Sequence, residues 1–143
     1  MFLGEYSHTL DEKGRLTIPS RFREELSGGL VVTKGIDPCL TVYPRQVWNE
    51  LAERLTKLPM SQRNVRNFNR LLGSGAQDSV PDRQGRVLIP QPLREYAGLD
   101  GDAVIIGLID KFEIWNPERW AVLKAEVEAN PDSIAEQLQE LGI

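Results

Sequence analysis

Arg15 and Arg86 are the side chains whose surroundings suggest chemistry. Each follows a glycine and stands four residues after an aspartate, in Asp11-Glu12-Lys13-Gly14-Arg15 and Asp82-Arg83-Gln84-Gly85-Arg86. A guanidinium presents a planar fork of donors that fits phosphate oxygens or the edge of guanine. An aspartate can accept backbone N–H groups just downstream and so open a turn. Glycine supplies the positive φ that a tight turn needs. An arginine rooted at such a turn gives up little freedom when it binds. The same residues also suit a plain surface ion pair within the turn. By themselves they leave both readings open.

The elements that must position these arginines come in duplicate. The second run lies 71 residues after the first, and the match continues through Ile18-Pro19 and Arg23-Glu24 to Ile89-Pro90 and Arg94-Glu95. A repeat this clear decides architecture before local signals do. Leu16 and Ile18 alternate as on a half-buried strand, and so do Val87 and Ile89, with the arginine at the strand's start. Pro19 and Pro90 suit the first turn of a helix. Each copy therefore reads as a hairpin followed by a short helix, at residues 20–26 and 90–97.

The first copy adds strands at 5–10, 30–33 and 40–43 and a helix from Pro44 to about Leu58. The second adds strands at 76–80, 103–108 and 112–115 and a helix from Pro117. A helix over 61–72, stopped by Gly73-Ser74-Gly75, joins them, and a short acidic helix over 133–141 closes the chain. A unit of about 50 residues hardly buries a core alone, so the two units are expected to share one.

Composition narrows the function classes. The chain has 143 residues, one cysteine (Cys39) and a net charge of −4. One thiol leaves no internal disulfide and no multi-cysteine zinc site. Residues 1–5 lack the basic start of a signal peptide, and the apolar run 103–109 is too short to cross a bilayer. There is no Gly-rich phosphate loop, no His/Cys/Asp ligand cluster and no nucleophile with a placed base. No enzyme activity, cofactor, metal or small-molecule substrate is expected.

The acidic total speaks against a polyanion partner, but its distribution does not. Residues 57–94 hold seven Lys or Arg against two Asp, a net charge of +5. Residues 95–143 hold three against eleven Asp or Glu, a net charge of −8. Such asymmetry hints at a binding face beside an acidic tail. Arg63, Arg66 and Arg70 share one helix face and read as solvated or subunit-facing. Trp48, Trp115 and Trp120 read as core or subunit interface, and His8 as structural.

The opening Met1-Phe2-Leu3-Gly4-Glu5-Tyr6, with His8, Leu10-Asp11, Lys13-Gly14-Arg15 and Pro19, resembles that of the bacterial MraZ family. The paired Asp-x-x-x-Arg motif, present at both Asp11–Arg15 and Asp82–Arg86, is the hallmark of that family, and the resemblance spans the chain. It implies an α+β fold of the swapped-hairpin SpoVT-AbrB/MazE kind: two tandem β-β-α-β-β-α repeats forming one pseudo-twofold double-split β-barrel, with flanking helices. The repeats are expected at 5–56 and 76–129, joined by a helix at 57–75 and followed by an acidic helix at 130–143.

The resemblance further implies a transcriptional regulator that binds double-stranded DNA at short direct repeats. The sites lie upstream of the division and cell wall gene cluster and include its own promoter. It implies closed rings, typically octamers, in the cytoplasm on the nucleoid, with no membrane partner. On this reading Arg15 and Arg86 contact DNA. Lys13 and Arg83 in the turns, with Arg21, Arg23 and Arg94 on the following helices, add phosphate contacts that set affinity and register. Asp11, Gly14, Asp82 and Gly85 build the turns, since a carboxylate would repel phosphate. The rival reading is a protein-binding or ring-scaffold module whose arginine turns grip an acidic partner.

Overall fold

Apolar alternation and turn residues divide the chain into eight strands and five helices in a computed structural model that describes residues 1–143. The first repeat contains β1 (Glu5–Thr9), β2 (Arg15–Thr17), β3 (Leu30–Lys34), β4 (Leu40–Pro44) and α1 (Arg45–Thr56). Helix α2 (Arg63–Gly75) leads into β5 (Gln77–Ser79), β6 (Arg86–Leu88), α3 (Gln91–Ala97), β7 (Asp102–Gly107) and β8 (Phe112–Trp115). Helices α4 (Pro117–Ala129) and α5 (Pro131–Gln139) complete it.

The strands form a six-stranded antiparallel sheet, in the order β1-β7-β8-β4-β3-β5, and a separate two-stranded ribbon of β2 and β6. The repeats trade strands. β1 of the first pairs with β7 of the second, and β5 of the second pairs with β3 of the first. The registers match across the exchange: Tyr6 faces Ile105, and its counterpart Gln77 faces Val32. A pseudo-twofold axis therefore passes between β4 and β8 and between β2 and β6.

This exchange corrects the expectation of a local hairpin in each copy. The turns do close, with the Asp11 N–H donating to the Arg15 carbonyl and the Asp82 N–H to that of Arg86, both at 2.9 Å. The flanking strands then part, because each finds its long ladder in the other repeat. One core results. Leu16 and Val87 beneath the ribbon, Phe22, Leu26, Leu93 and Ala97 from the short helical segments, and Leu30, Val32, Leu40, Val42, Ile105, Phe112 and Ile114 from the sheet belong to a single buried cluster.

The sheet's opposite face is covered by longer helices. The Thr33 hydroxyl donates to the Leu72 carbonyl of α2 at 2.7 Å. Trp120 and Leu123 of α4 pack on a second cluster of Cys39, Val104, Ile106 and Trp115. Trp48 of α1 lies against Tyr43, with ring centroids 5.7 Å apart. No helix is long and apolar enough to cross a membrane.

Three local expectations need correction. Residues 20–26 form two successive 3-10 turns rather than one α-helix. Phe22 is seated among Phe2, Tyr6 and Phe112, with centroids 5.0–5.4 Å away, and this packing overrides the weaker helical preference of so short a segment. Pro19 and Pro90 stand just before their helical segments rather than in the first turn. Helix α2 runs through Gly73-Ser74-Gly75 to end at Gly75. There Lys34 and Leu93 approach closely, and a Cβ on Gly75 would be 3.1–3.4 Å from them, so the glycine at which the helix ends also allows this packing. Asn130 starts α5 at Pro131, accepting from the Ser133 N–H.

Candidate nucleic-acid interface

The ribbon brings the two arginines together. Leu16 and Val87 point into the core at 0 % and 2 % exposure, so the alternate residues Arg15, Thr17, Arg86 and Leu88 occupy the outward face. Antiparallel register sets Arg15 opposite Leu88 and Thr17 opposite Arg86. The arginines thus stand at diagonal corners of one small exposed surface, with their Cα atoms about 8 Å apart by strand geometry.

Each guanidinium is held from behind by its own aspartate. Arg15 donates from Nε to Asp11 Oδ2 at 2.7 Å, and Arg86 from Nε to Asp82 Oδ2 at 2.8 Å. The other carboxylate oxygen is equally occupied. Asp11 Oδ1 accepts the Lys13 and Arg15 N–H groups, and Asp82 Oδ1 accepts those of Gln84 and Arg86, all at 2.9 Å. These bonds, led by the arginine's own backbone N–H, hold both carboxyls below the usual carboxylate range.

The ion pair and the outward reach are therefore not alternatives. Nε makes the pair, while the two terminal nitrogens of each guanidinium donate to nothing else in the chain, and both side chains remain about 30 % exposed. Arg15 and Arg86 keep the half of the fork that can grip a ligand, at a fixed angle.

The turn glycines have a second duty across the axis. Gly14 and Gly85 are buried, with φ of 81° and 76°. The Gly14 carbonyl accepts the Ile89 N–H at 2.9 Å, and the Gly85 carbonyl accepts the Ile18 N–H at 2.8 Å. A Cβ on Gly14 would run into the Arg94 guanidinium, and one on Gly85 into that of Arg23. Each of these arginines, from one repeat, lies over the turn of the other, and Arg23 also donates from Nε to the Ile18 carbonyl at 3.1 Å.

The expected site residues thus separate by position. Arg15 and Arg86 share the ribbon face, and Lys13 and Arg83 project at the two exposed turn tips. Arg23 and Arg94 are half-buried against the glycines. Arg21 stands apart, beside the Tyr6 hydroxyl, whose hydrogen bond raises its pKa. Arg66 and Arg70 of α2 are engaged locally, with the Met60 and Ser61 carbonyls and with Asn67. His8 is half-buried, and burial together with the nearby Arg23 charge lowers its pKa. No group of three or more His, Cys, Asp or Glu is placed to hold a metal ion. Sequence reasoning passed over Thr17 and Leu88. The signal was there in the period of two, which turns residue 88 outward between Val87 and Ile89.

These features define a class: a tandem-duplicated, strand-exchanged chain that presents two aspartate-braced arginines on one ribbon. Comparison with known proteins names it more closely. A family model described as "MraZ protein, putative antitoxin-like" matches twice, over residues 1–71 and 72–141. The chain belongs to the MraZ family. It is 53% identical over 141 residues, 99% of each chain, to "Transcriptional regulator MraZ" of Roseiflexus castenholzii. It is 48% identical to the protein of that name from Syntrophomonas wolfei and 47% identical to that from Moorella thermoacetica, over 143 residues and the full length of each chain.

Proposed function

We propose that this chain is a transcriptional regulator that binds double-stranded DNA in a sequence-specific way through the outward face of the β2/β6 ribbon. The observation that carries this reading is the convergence of Arg15 and Arg86, each braced by an aspartate yet free at its terminal nitrogens, on one exposed surface. A two-stranded ribbon fits the major groove, where arginine pairs with guanine O6 and N7. Lys13 and Arg83 at the tips reach toward phosphates. The strand exchange supports reading the fold as a double-split barrel of the SpoVT-AbrB kind. The names of the relatives support the regulatory role.

The targets are short direct repeats upstream of the division and cell wall gene cluster, including the protein's own promoter, met by a closed ring of identical subunits on the nucleoid. One ribbon offers few contacts. Several, joined in a ring and facing repeated elements, gain through effective concentration and set the arginine surfaces apart from the acidic C-terminal helices. A gel-shift series with upstream and scrambled fragments at two salt concentrations, alongside the mass of the native assembly, tests this. Preference for the upstream fragment, lost in the Arg15→Ala, Arg86→Ala double variant with the assembly intact, is the expected result. Preference retained in that variant overturns it. Binding to an acidic protein with no sequence dependence on DNA would return the ribbon to the protein-binding reading.

A further inference from the structure

Leu88 is an apolar side chain in a place made for charge. It is 52 % exposed, while its chain neighbours Val87 and Ile89 are 2 % and 0 % exposed. It shares the ribbon's outward face with Arg86, two residues earlier on the same strand, and stands directly opposite Arg15. It thus occupies a corner of that face adjacent to both arginine positions, its Cβ about 5 Å from that of Arg15 by cross-strand geometry. Its counterpart in the first repeat is Thr17, opposite Arg86. The backbone is twofold here, but the reading surface is not.

The major groove holds one apolar feature, the C5-methyl of thymine, and apolar side chains contact it. We propose that Leu88 is a specificity-determining residue that packs on the C5-methyl of a thymine beside the base gripped by Arg15. This rests on the DNA reading given above. The neighbouring arginines select the environment, since an exposed leucine on the same face as two cations suits a polyanion's groove better than the apolar patch of a neighbouring protein. Thr17 offers a hydroxyl that pairs with more than one base, so the opposite corner is the more permissive. A pseudo-symmetric ribbon thereby reads an element with a direction rather than a palindrome.

The test selects duplexes from a random library with the full-length wild-type protein and with Leu88→Ala and Leu88→Thr. The best wild-type duplex is then remade with deoxyuridine replacing each thymine in turn, which removes only the 5-methyl. One such replacement is expected to weaken wild-type binding about fourfold, the worth of one buried methyl, and to leave Leu88→Ala unaffected. Leu88→Thr is expected to select a more palindromic pool. Wild-type indifference to every lost methyl, or equal sensitivity in Leu88→Ala, overturns the assignment while leaving sequence-specific binding standing. A changed assembly mass in Leu88→Ala also overturns it, since Leu88 would then be a subunit contact. If the wild type selects no element at all, the DNA reading itself fails.

Discussion

The two turns share a frame and differ in what surrounds it. Their Nε–carboxylate distances are 2.7 and 2.8 Å, their four amide bonds are all 2.9 Å, and their glycines differ by 5° in φ, 81° against 76°. Each glycine lies under an arginine from the other repeat. At the tips Glu12-Lys13 stands against Arg83-Gln84, and on the ribbon Thr17 stands against Leu88. After the ribbon one repeat continues in 3-10 turns and the other in α3. Duplication has kept what aims the guanidinium and released what neighbours it. The arginines should therefore act alike, and differences between the repeats should trace to the side chains around them.

The largest effect tests that equality. Arg15→Ala and Arg86→Ala are each expected to weaken binding to a specific duplex by about 10- to 100-fold, the range of one paired base contact, and by similar factors. If titrations show one variant silent and the other crippled, the shared geometry does not mean shared work.

Next come the glycines. Gly14→Ala and Gly85→Ala force a residue with a Cβ into the left-handed region, at about 1–2 kcal/mol each. Each must also displace a guanidinium belonging to the other repeat. Equal losses in denaturant unfolding are expected. A clearly larger loss at one site would mean that the arginine over the other yields more easily, leaving only the backbone strain there.

The repeat, most elements and the residues of both turns were legible in the sequence because their signals are local: spacing, period and turn chemistry. Strand partners were not legible in local signals; only the resemblance to a swapped-hairpin fold pointed to an exchange. Nothing in residues 5–18 says that β1 will bypass β2 for β7, since that choice is made by a partner about 100 residues away in the chain. The position of Arg23 and Arg94 over the opposite glycines was hidden for the same reason. The ion pair and the outward arginine looked like rivals because a one-letter code does not show that Nε can hold the aspartate while the terminal nitrogens stay free. Residues 20–26 misled because a few helix-like positions cannot outweigh the seating of Phe22.

Acid separates the repeats more gently. Asp11 and Asp82 have folded pKa values below those of the unfolded chain. Their contribution is complete above the ordinary carboxylate value of about 4 and fades as pH falls through the lower, folded values, alike in both repeats. His8 has no twin, since Ser79 occupies the equivalent place. Its folded pKa is also lowered, so the unfolded chain takes up the proton first, and stability falls as pH drops below about 6.5. NMR titration is expected to give two matching low aspartates and one low histidine. In unfolding curves His8→Gln should remove the loss near pH 6 and leave that below pH 4. Loss near pH 6 that persists in His8→Gln would place the sensitive group elsewhere.

The smallest effect lies at the tips. Lys13→Ala and Arg83→Ala each remove one cation that can neutralise a phosphate, so each should lower the log–log salt slope by about 0.9 per subunit engaged and weaken specific and scrambled duplexes alike. Glu12→Gln removes a repulsive carboxylate from the first tip and should tighten both duplexes slightly. Gln84→Glu, which gives the second tip the same mix of charges as the first, should loosen both. Unequal salt slopes for Lys13→Ala and Arg83→Ala would show that the ribbon sits tilted in the groove, one tip on the backbone and the other in solvent. The twofold frame would then hold for the protein but not for its complex.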